Sequence, residues 1–245
     1  SPTGTGKTLC LLCASLAWLK NKRSELKKNH SNQSEIKQPL IFYTSRTHSQ
    51  LSNVIKELKK TCYLPRTSVL SSRENLCVNS LVKNSAGSNI NLKCKIARGR
   101  KECKYYQNSH VERTSAYDNL DIEEMKKIGE NSSFCPFYFQ RKKKDAADII
   151  FLPYNYIFTK KLISLLNLDL NNSVLLIDEA HNIDSVCENS FSFELSTKII
   201  DGCLDDLKQV SLLKEKNYES ISEKIDKKDT KEDFLNMIDT NMLAK

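Results

Sequence analysis

The feature that most constrains the fold of this chain is its first eight residues, which read Ser-Pro-Thr-Gly-Thr-Gly-Lys-Thr. Phosphate groups need several backbone N–H donors at close range, and a glycine-rich turn lets the backbone come that near. The apolar run that follows, residues 9–20, predicts a helix whose N-terminus faces the bound phosphates. A loop and helix of this kind bind the phosphates of a nucleotide.

The loop predicts an ATP site in which two side chains have distinct roles. We expect Lys7 to reach the β- and γ-phosphates and the hydroxyl of Thr8 to bind Mg²⁺. The expected ATP-binding residues are Ser1, Pro2, Thr3, Gly4, Thr5, Gly6, Lys7 and Thr8. Ser1 stands where the G-x-x-x-x-G-K-[ST] pattern has its first glycine.

A second motif lies about 170 residues downstream, where the apolar run 173–177 (SVLLI), which is expected to form a buried strand, ends in Asp-Glu-Ala-His. Ligands collect at the carboxyl ends of strands in open α/β sheets, so these carboxylates are expected to face the phosphate loop. Asp178 would hold Mg²⁺, and Glu179 would orient and deprotonate the attacking water. His181 would couple the nucleotide state to a second motor domain. With Lys7, these three residues form the expected catalytic set.

The rest of the first half alternates between strand and helix patterns. Residues 39–44 (PLIFYT) and 148–152 (DIIFL) are buried-strand candidates. Thr47 is a candidate N-cap for a helix with apolar residues at i, i+3, i+4 and i+7, namely Leu51, Val54, Ile55 and Leu58. Strands separated by helices predict an α/β fold, a parallel sheet with helices on both faces.

Composition restricts the class of protein further. With 39% hydrophobic residues the chain can bury a core, and its net charge of +8 favours a polyanionic partner. Its longest apolar run, residues 9–19, is too short to span a bilayer, and no secretory signal is visible. Because the chain opens inside the phosphate loop without a Met, we expect it to be a fragment.

The segment of residues 72–141 breaks the alternating pattern and contains four of the nine cysteines, Cys77, Cys94, Cys103 and Cys135. The spacing of these four lacks the paired C-x-x-C of zinc ribbons, so a metal site, disulfides and core packing all remain open on spacing alone. Cys10 and Cys13 form a C-x-x-C on the helix after the phosphate loop. They are expected to pack in the core rather than to act in redox chemistry.

Together these motifs resemble those of superfamily 2 helicases of the DEAH type. Residues 43–50 (YTSRTHSQ) look like helicase motif Ia, which grips the backbone of single-stranded DNA. Residues 147–156 (ADIIFLPYNY) look like the segment before the acidic box in the iron–sulfur branch, which includes the Fanconi anaemia and nucleotide-excision-repair helicases. Helicases of this type often relax the first loop glycine, as Ser1 does here.

The resemblance implies ligands for a [4Fe–4S] cluster and contacts with DNA. The cluster ligands would be Cys77, Cys94, Cys103 and Cys135, since the branch binds one cluster through four cysteines in this order and place. The motif Ia contacts with single-stranded DNA would be Arg46, Thr47 and His48. Cations and aromatic rings near the second and third cysteines suit the same DNA: Lys93, Lys95, Arg98, Arg100, Lys101, Lys104, Tyr105 and Tyr106.

The resemblance also implies how the chain is organised. Residues 1–71 would begin a RecA-like motor domain, 72–141 would be its iron–sulfur insertion, and 142–192 would complete the motor domain with the acidic box. Residues 193–245 would begin a helical Arch domain, and the second motor domain would lie outside these residues. The basic run 141–144 is either a DNA contact or a solvated face.

The implied activity is that of an ATP-dependent 5′-to-3′ DNA helicase, which uses ATP, Mg²⁺ and a [4Fe–4S] cluster. Its implied setting is the nucleus, in DNA repair, recombination control and telomere maintenance. Single-stranded DNA and DNA junctions would be the partners, no membrane would be involved, and protein partners would bind regions absent here. Because the later helicase motifs are absent from these residues, one alternative is a fragment that binds ATP and DNA without unwinding. The other is a sister iron–sulfur helicase of the Fanconi anaemia type. A signalling or transport P-loop ATPase is disfavoured by the Ser-Arg-Thr-His segment.

Overall fold

The computed structural model describes residues 6–29, 38–83, 90–109 and 115–225. The chain divides into two compact units, residues 1–191 and residues 192–245, which are described separately. The first five residues of the expected phosphate loop and the expected helical tail beyond residue 225 lie outside the described residues.

A four-stranded parallel sheet forms the centre of the first unit. Its strands are β1 (Leu40–Ser45), β2 (Thr67–Val69), β3 (Ile149–Pro153) and β4 (Ser173–Ile177), in the order β2-β3-β1-β4. β1 is internal, because Ile41 is in register with Ile149 on one side and Val174 on the other. Since all four strands are parallel, their carboxyl ends lie at one edge of the sheet.

Helices occur in both units, and the last described helix, residues 197–225, belongs to the second unit. They are α1 (Lys7–Asn29), α2 (His48–Leu58), α3 (Arg73–Leu76), α4 (Ser80–Lys83), α5 (Ile90–Gly99), α6 (Lys104–Gln107), α7 (Ile122–Asn131), α8 (Pro136–Lys143), α9 (Asn155–Phe158), α10 (Lys160–Leu166), α11 (Ile183–Phe191) and α12 (Thr197–Ile225). Short 3₁₀ turns span Ser115–Tyr117, Lys144–Ala146 and Ala180–Asn182. None of the described helices combines the length and the apolar composition needed to cross a membrane.

Two hydrophobic cores form because strand residues alternate between the faces of the sheet. On one face, Ile41 and Tyr43 of β1 pack with α1 and α2. On the other face, Phe42 of β1 packs with α9 and α10. The sheet is therefore covered by helices on both faces, which confirms the predicted α/β, RecA-like plan.

The helix predicted after Thr47 is confirmed. Thr47 caps α2 through its hydroxyl, which accepts from the backbone N–H of Gln50 at 3.3 Å, and the Gln50 side chain accepts from the Thr47 N–H at 3.1 Å. This reciprocal pair satisfies two backbone donors that a helix start leaves unpaired. The four predicted apolar residues, Leu51, Val54, Ile55 and Leu58, are all buried.

One expectation about packing is wrong. Cys10 is exposed and Cys13 is half-buried, so Cys10 does not pack in the core. The buried face of α1 instead consists of Leu12, Leu16 and Leu19, which repeat at i, i+4 and i+7 toward the sheet. Both cysteines are free thiols.

An ionic cluster lies at the opposite, amino-terminal edge of the sheet, where Asp148 precedes β3. The Asp148 carboxylate accepts from Arg23 of α1 at 2.6 Å and from the Arg66 guanidinium at 2.7 Å. The Arg66 backbone N–H also donates to it at 2.8 Å. Burial alone would raise the pKa of Asp148, but the hydrogen bonds from Arg66 and Arg23 outweigh burial and lower it. This cluster fastens the far end of α1 to the sheet.

Replacing Asp148 with Asn should lower the free energy of unfolding at pH 7 by about 3 kcal/mol, because two arginines lose a buried carboxylate. Since the folded-state pKa is depressed, this stabilisation is present above the unfolded pKa of about 3.9 and is lost as the pH falls through the folded pKa. Urea unfolding at pH 7 and at pH 3 measures both effects. The exposed Asp145→Asn variant is the matched control. Equal stability of Asp148→Asn and wild type at pH 7 would contradict the role of this cluster.

Candidate functional site

The candidate nucleotide site is built at the carboxyl edge of the sheet. Gly6 adopts a φ of 75°, a left-handed conformation that favours glycine, and its carbonyl accepts from the Cys10 N–H at 3.0 Å to start α1. Lys7 and Thr8 therefore stand at the N-terminus of α1, where unpaired backbone N–H groups and the helix dipole favour an anion. Ser1–Thr5, predicted to form the rest of the loop, lie outside the described residues.

The acidic box reaches the same place through β4. The Asp178 N–H donates to the carbonyl of Thr44 at 2.9 Å, which continues the pairing of β4 with the central strand. The Asp178 carboxyl then lies within electrostatic reach of Lys7. Burial and the charge of Glu179 raise the pKa of Asp178, while Lys7 and the hydroxyl of Tyr43 act in the opposite direction. The structure thus brings the two predicted motifs together at one edge of the sheet.

Tyr43 is a member of this site that the sequence analysis did not assign. Its side chain is fully buried, and its hydroxyl lies beside Thr8 and Asp178. Burial and the Asp178 carboxylate raise the pKa of Tyr43, so the phenol stays protonated. Among the described residues the hydroxyl has no hydrogen-bond partner of normal geometry. It is a buried donor placed under the two residues predicted to bind Mg²⁺.

Glu179 and His181 lie in a strained turn after β4. Glu179 has a φ of 55°, which is unusual for a residue with a side chain. Its carboxylate Oε2 lies 3.1 Å from Nδ1 of His181. The predicted base and the predicted coupling histidine are therefore in direct contact.

The motif Ia residues lie between β1 and α2, at the same edge as the nucleotide site. Arg46 is exposed, and the hydroxyl of Thr47 already accepts a hydrogen bond as the N-cap of α2. His48 is half-buried, and its Nε2 shares a hydrogen bond with the hydroxyl of Ser71 at 3.0 Å. Burial lowers the pKa of His48, which favours a neutral ring. Of the three, Arg46 is the one that offers an exposed positive charge to a phosphate, and its Nη1 donates to Oδ1 of Asn182 at 3.3 Å.

The four predicted cluster ligands are gathered in the insertion, where three of them stand at helix ends. Cys77 follows α3, Cys103 precedes α6 and Cys135 precedes α8, and all three are buried, whereas Cys94 on α5 is half-buried. All four are free thiols. Burial raises the pKa of Cys135 to about 12, and the nearby Cys77 and Cys103 act in the same direction. The pKa of Cys77 is also raised, by burial and by Cys94 and Cys103.

The thiols have polar neighbours suited to thiolates. The side-chain amide of Asn79 donates to Cys103 Sγ at 3.4 Å, and Arg73 lies beside Cys94. Within the described residues, no three His, Cys, Asp or Glu side chains converge on a position for a single metal ion. In a four-iron cluster each thiolate binds a different iron, so the sulfur atoms need not converge on one point. The donor set and its surroundings therefore fit such a cluster.

Cations and aromatic rings alternate next to these cysteines. The Arg73 guanidinium lies 4.3 Å from the centre of the Phe137 ring, and that of Arg141 lies 4.2 Å from the same ring. Arg98 lies 4.8 Å from the ring centre of Tyr106. Such pairs hold guanidinium groups in place. The Arg73 group also donates to Oδ1 of Asn91 at 2.8 Å and to the hydroxyl of Tyr138 at 3.0 Å.

The second basic run is not a uniform solvated face. Lys143 is buried and pairs with Asp118 at 2.7 Å, which ties α8 to the turn at residues 115–117. Lys144 pairs with Asp145. Arg141 is held against Phe137, so these three residues of the run have three different surroundings.

Comparison with known proteins gives one matching family and several similar relatives. The DEAD_2 family model matches residues 43–200. Regulator of telomere elongation helicase 1 homolog of Arabidopsis thaliana is 38% identical over 91% of this chain and 24% of its own length. Regulator of telomere elongation helicase 1 of Homo sapiens is 39% identical over 86% of this chain and 20% of its own length.

Among solved structures, one described as an XPD helicase covers 77% of this chain and 30% of its own, with 26% identity and a TM-score of 0.49. The chain spans about a fifth to a quarter of the length of the two telomere elongation helicase relatives.

Proposed function

The chain belongs to the DEAD_2 family, and on this premise we propose that it is the first motor domain of an ATP-driven DNA helicase. The proposal is supported by the position of Lys7 at the start of α1 and of Asp178 at the end of β4, where the charge of Lys7 acts to lower the pKa of Asp178. Because the chain spans only part of its relatives, the activity is proposed for the longer protein, in which a second motor domain would close the ATP site.

In this proposal the nucleotide lies between the start of α1 and the end of β4. The loop Ser1–Gly6 would cradle the phosphates, and Lys7 would balance the charge that develops on the transferred phosphoryl group. Thr8 and Asp178 would hold a magnesium ion, which would supply positive charge to the phosphates. Tyr43 would orient the Asp178 carboxylate through its buried hydroxyl.

Glu179 is the proposed general base. A carboxylate at the end of β4 is placed to accept a proton from a water aligned with the terminal phosphate, because it follows Asp178 directly. His181 is proposed to report the state of this site to the second motor domain. Its contact with Glu179 at 3.1 Å supports that role.

Single-stranded DNA is the proposed polymer substrate, with Arg46, Thr47 and His48 at its backbone. Arg46 would bind a phosphate oxygen, while Thr47 and His48 would mainly fix the start of α2 beneath the DNA. The guanidinium and aromatic stack around Phe137 offers a second contact, where unpaired bases stack and phosphates pair. Unwinding in the 5′-to-3′ direction and activity on DNA junctions are proposed from the resemblance of motifs.

A [4Fe–4S] cluster is proposed in the insertion, with Cys77, Cys94, Cys103 and Cys135 as its ligands. The four thiols lie close together with amide and guanidinium donors around them, and a bound cluster would cross-link four separate helices. The proposed chain organisation follows: motor residues 1–71 and 142–192, insertion 72–141, and the start of an Arch domain from residue 193. By analogy with the named relatives, we propose a role in telomere maintenance and DNA repair in the nucleus.

Replacing Glu179 with Gln in the longer protein should reduce DNA-stimulated ATP turnover by about a hundredfold or more, because the amide cannot accept the proton from water. The affinity for ATP should stay within about twofold, since Glu179 is not a phosphate contact. A coupled ATPase assay and nucleotide-binding titration measure the two effects. Glu188→Gln on α11 is the matched control. Wild-type turnover in Glu179→Gln would contradict the assignment of the base.

Replacing Cys103 with Ser should remove most of the iron and sulfide from anaerobically purified protein, together with the absorption of the cluster at about 400 nm. Cys62→Ser, which changes an exposed cysteine outside the set, should keep both. Iron, zinc and acid-labile sulfide analysis are the measurements. Wild-type protein that contains zinc and no iron would overturn the cluster proposal while leaving the nucleotide site untouched.

A further inference from the structure

Two hydrogen bonds and one ion-pair contact join the motif Ia arginine to the acidic box. Nη1 of Arg46 donates to Oδ1 of Asn182 at 3.3 Å, and Nδ2 of Asn182 lies 3.0 Å from Nε2 of His181. Nδ1 of His181 lies 3.1 Å from Oε2 of Glu179. Asn182, the residue directly after the Asp-Glu-Ala-His box, is thus the link between a proposed DNA contact and the proposed general base.

The chemistry of the four groups fixes the direction of each bond. A guanidinium can only donate, so the Asn182 oxygen must face Arg46 and its NH₂ group must face His181. Nε2 of His181 then accepts from Asn182, and Nδ1 of the same ring faces the Glu179 carboxylate. The donor groups of Arg46 and Asn182 therefore both point toward the acidic box.

Asn182 also stabilises the backbone of the strained turn. Its N–H and its Nδ2 both donate to the Glu179 carbonyl, at 3.1 and 3.2 Å. Glu179 holds a left-handed φ of 55°, a conformation that is strained for a residue with a side chain and persists only when neighbours enforce it. The position of the Glu179 carboxylate therefore depends on where Asn182 is held.

We propose that Asn182 is a positioning residue through which single-stranded DNA controls the Glu179 carboxylate. Without DNA, Arg46 holds Asn182, and Glu179 Oε2 is occupied by His181 instead of by the attacking water. A DNA phosphate competes for Arg46, because a charge-assisted bond to phosphate is stronger than a 3.3 Å bond to a neutral amide on the surface. Once Arg46 binds the phosphate, it no longer holds Asn182 in place. Asn182 and His181 can then move, and Oε2 of Glu179 becomes available to the attacking water. The inference rests on the proposed function, since it assigns regulation to the same ATP site.

The test compares ATP turnover with and without single-stranded DNA in the longer protein. In Asn182→Ala the restraint is removed, so turnover without DNA should rise about fivefold, the factor that corresponds to one lost hydrogen bond. The ratio of DNA-stimulated to DNA-free turnover should fall toward one. The affinity for fluorescent single-stranded DNA, measured by anisotropy, should stay within about twofold. Asn189→Ala on the exposed side of α11 should behave as wild type in both assays.

A second variant tests the contact of Asn182 with Arg46 separately from its contact with His181. Asn182→Asp keeps an oxygen for Arg46 and makes it a carboxylate, so Arg46 should be held more tightly and the DNA affinity should fall about threefold or more. The carboxylate cannot donate to His181, so DNA should no longer control turnover. Melting temperatures of both variants, compared with Asn189→Ala, report whether the turn still folds.

The outcomes distinguish the inference from the function on which it rests. A wild-type stimulation ratio in Asn182→Ala, or equal loss of both activities, would overturn the role of Asn182 while leaving the helicase proposal intact. Unchanged DNA affinity in Asn182→Asp would overturn the link to Arg46. Wild-type protein that hydrolyses no ATP in the presence of DNA would instead overturn the proposed function itself, together with the regulation built on it.

Discussion

The parallel pairing of β1 with both β3 and β4 is the constraint on which the rest of this structure depends. Because the three strands run in the same direction, the residues that follow them emerge at one edge: Arg46 after β1, Tyr154 after β3 and Asp178 after β4. The 2.9 Å bond from the Asp178 N–H to the Thr44 carbonyl fixes the acidic box relative to motif Ia. A shift in register by one residue would turn the buried Tyr43 away from the nucleotide site.

The same edge explains why the proposed ATP and DNA sites are close neighbours. Arg46 and Glu179 belong to turns that leave adjacent strands, and only Asn182 and His181 separate them. Coupling between polymer and nucleotide therefore needs no long path through the domain. Such coupling needs only a few neighbouring polar side chains whose hydrogen bonds change when a DNA phosphate binds.

The sequence was sufficient for the parts of the structure that depend on local patterns. The N-cap at Thr47, the buried residues of β1 and β3 and the existence of a strand before Asp178 could be predicted, because each follows from periodicity or from a motif with a physical purpose. The expectation that residues 173–177 form a buried strand was wrong, since β4 is only half-buried and Leu175 is exposed. The three-residue strand β2 could not, because it is held by its partner β3 rather than by its own composition. The exposure of Cys10 was missed because the apolar run around it has no clear polar face. Tyr43 and Asn182 have no sequence signal of their own, since their importance comes from residues distant in the chain that the fold brings near.

The central claim is that the phosphate loop and the acidic box form one electrostatic site, and the pKa of Asp178 tests it directly. Carboxyl ¹³C NMR of this chain, titrated with acid, gives that pKa in wild type, in Lys7→Met and in the control Lys20→Met, which removes a lysine farther along α1. Since the charge of Lys7 lowers the pKa of Asp178, Lys7→Met should raise it further, whereas Lys20→Met should leave it unchanged. An Asp178 pKa that does not respond to the loss of Lys7 would show that the two motifs do not share a site.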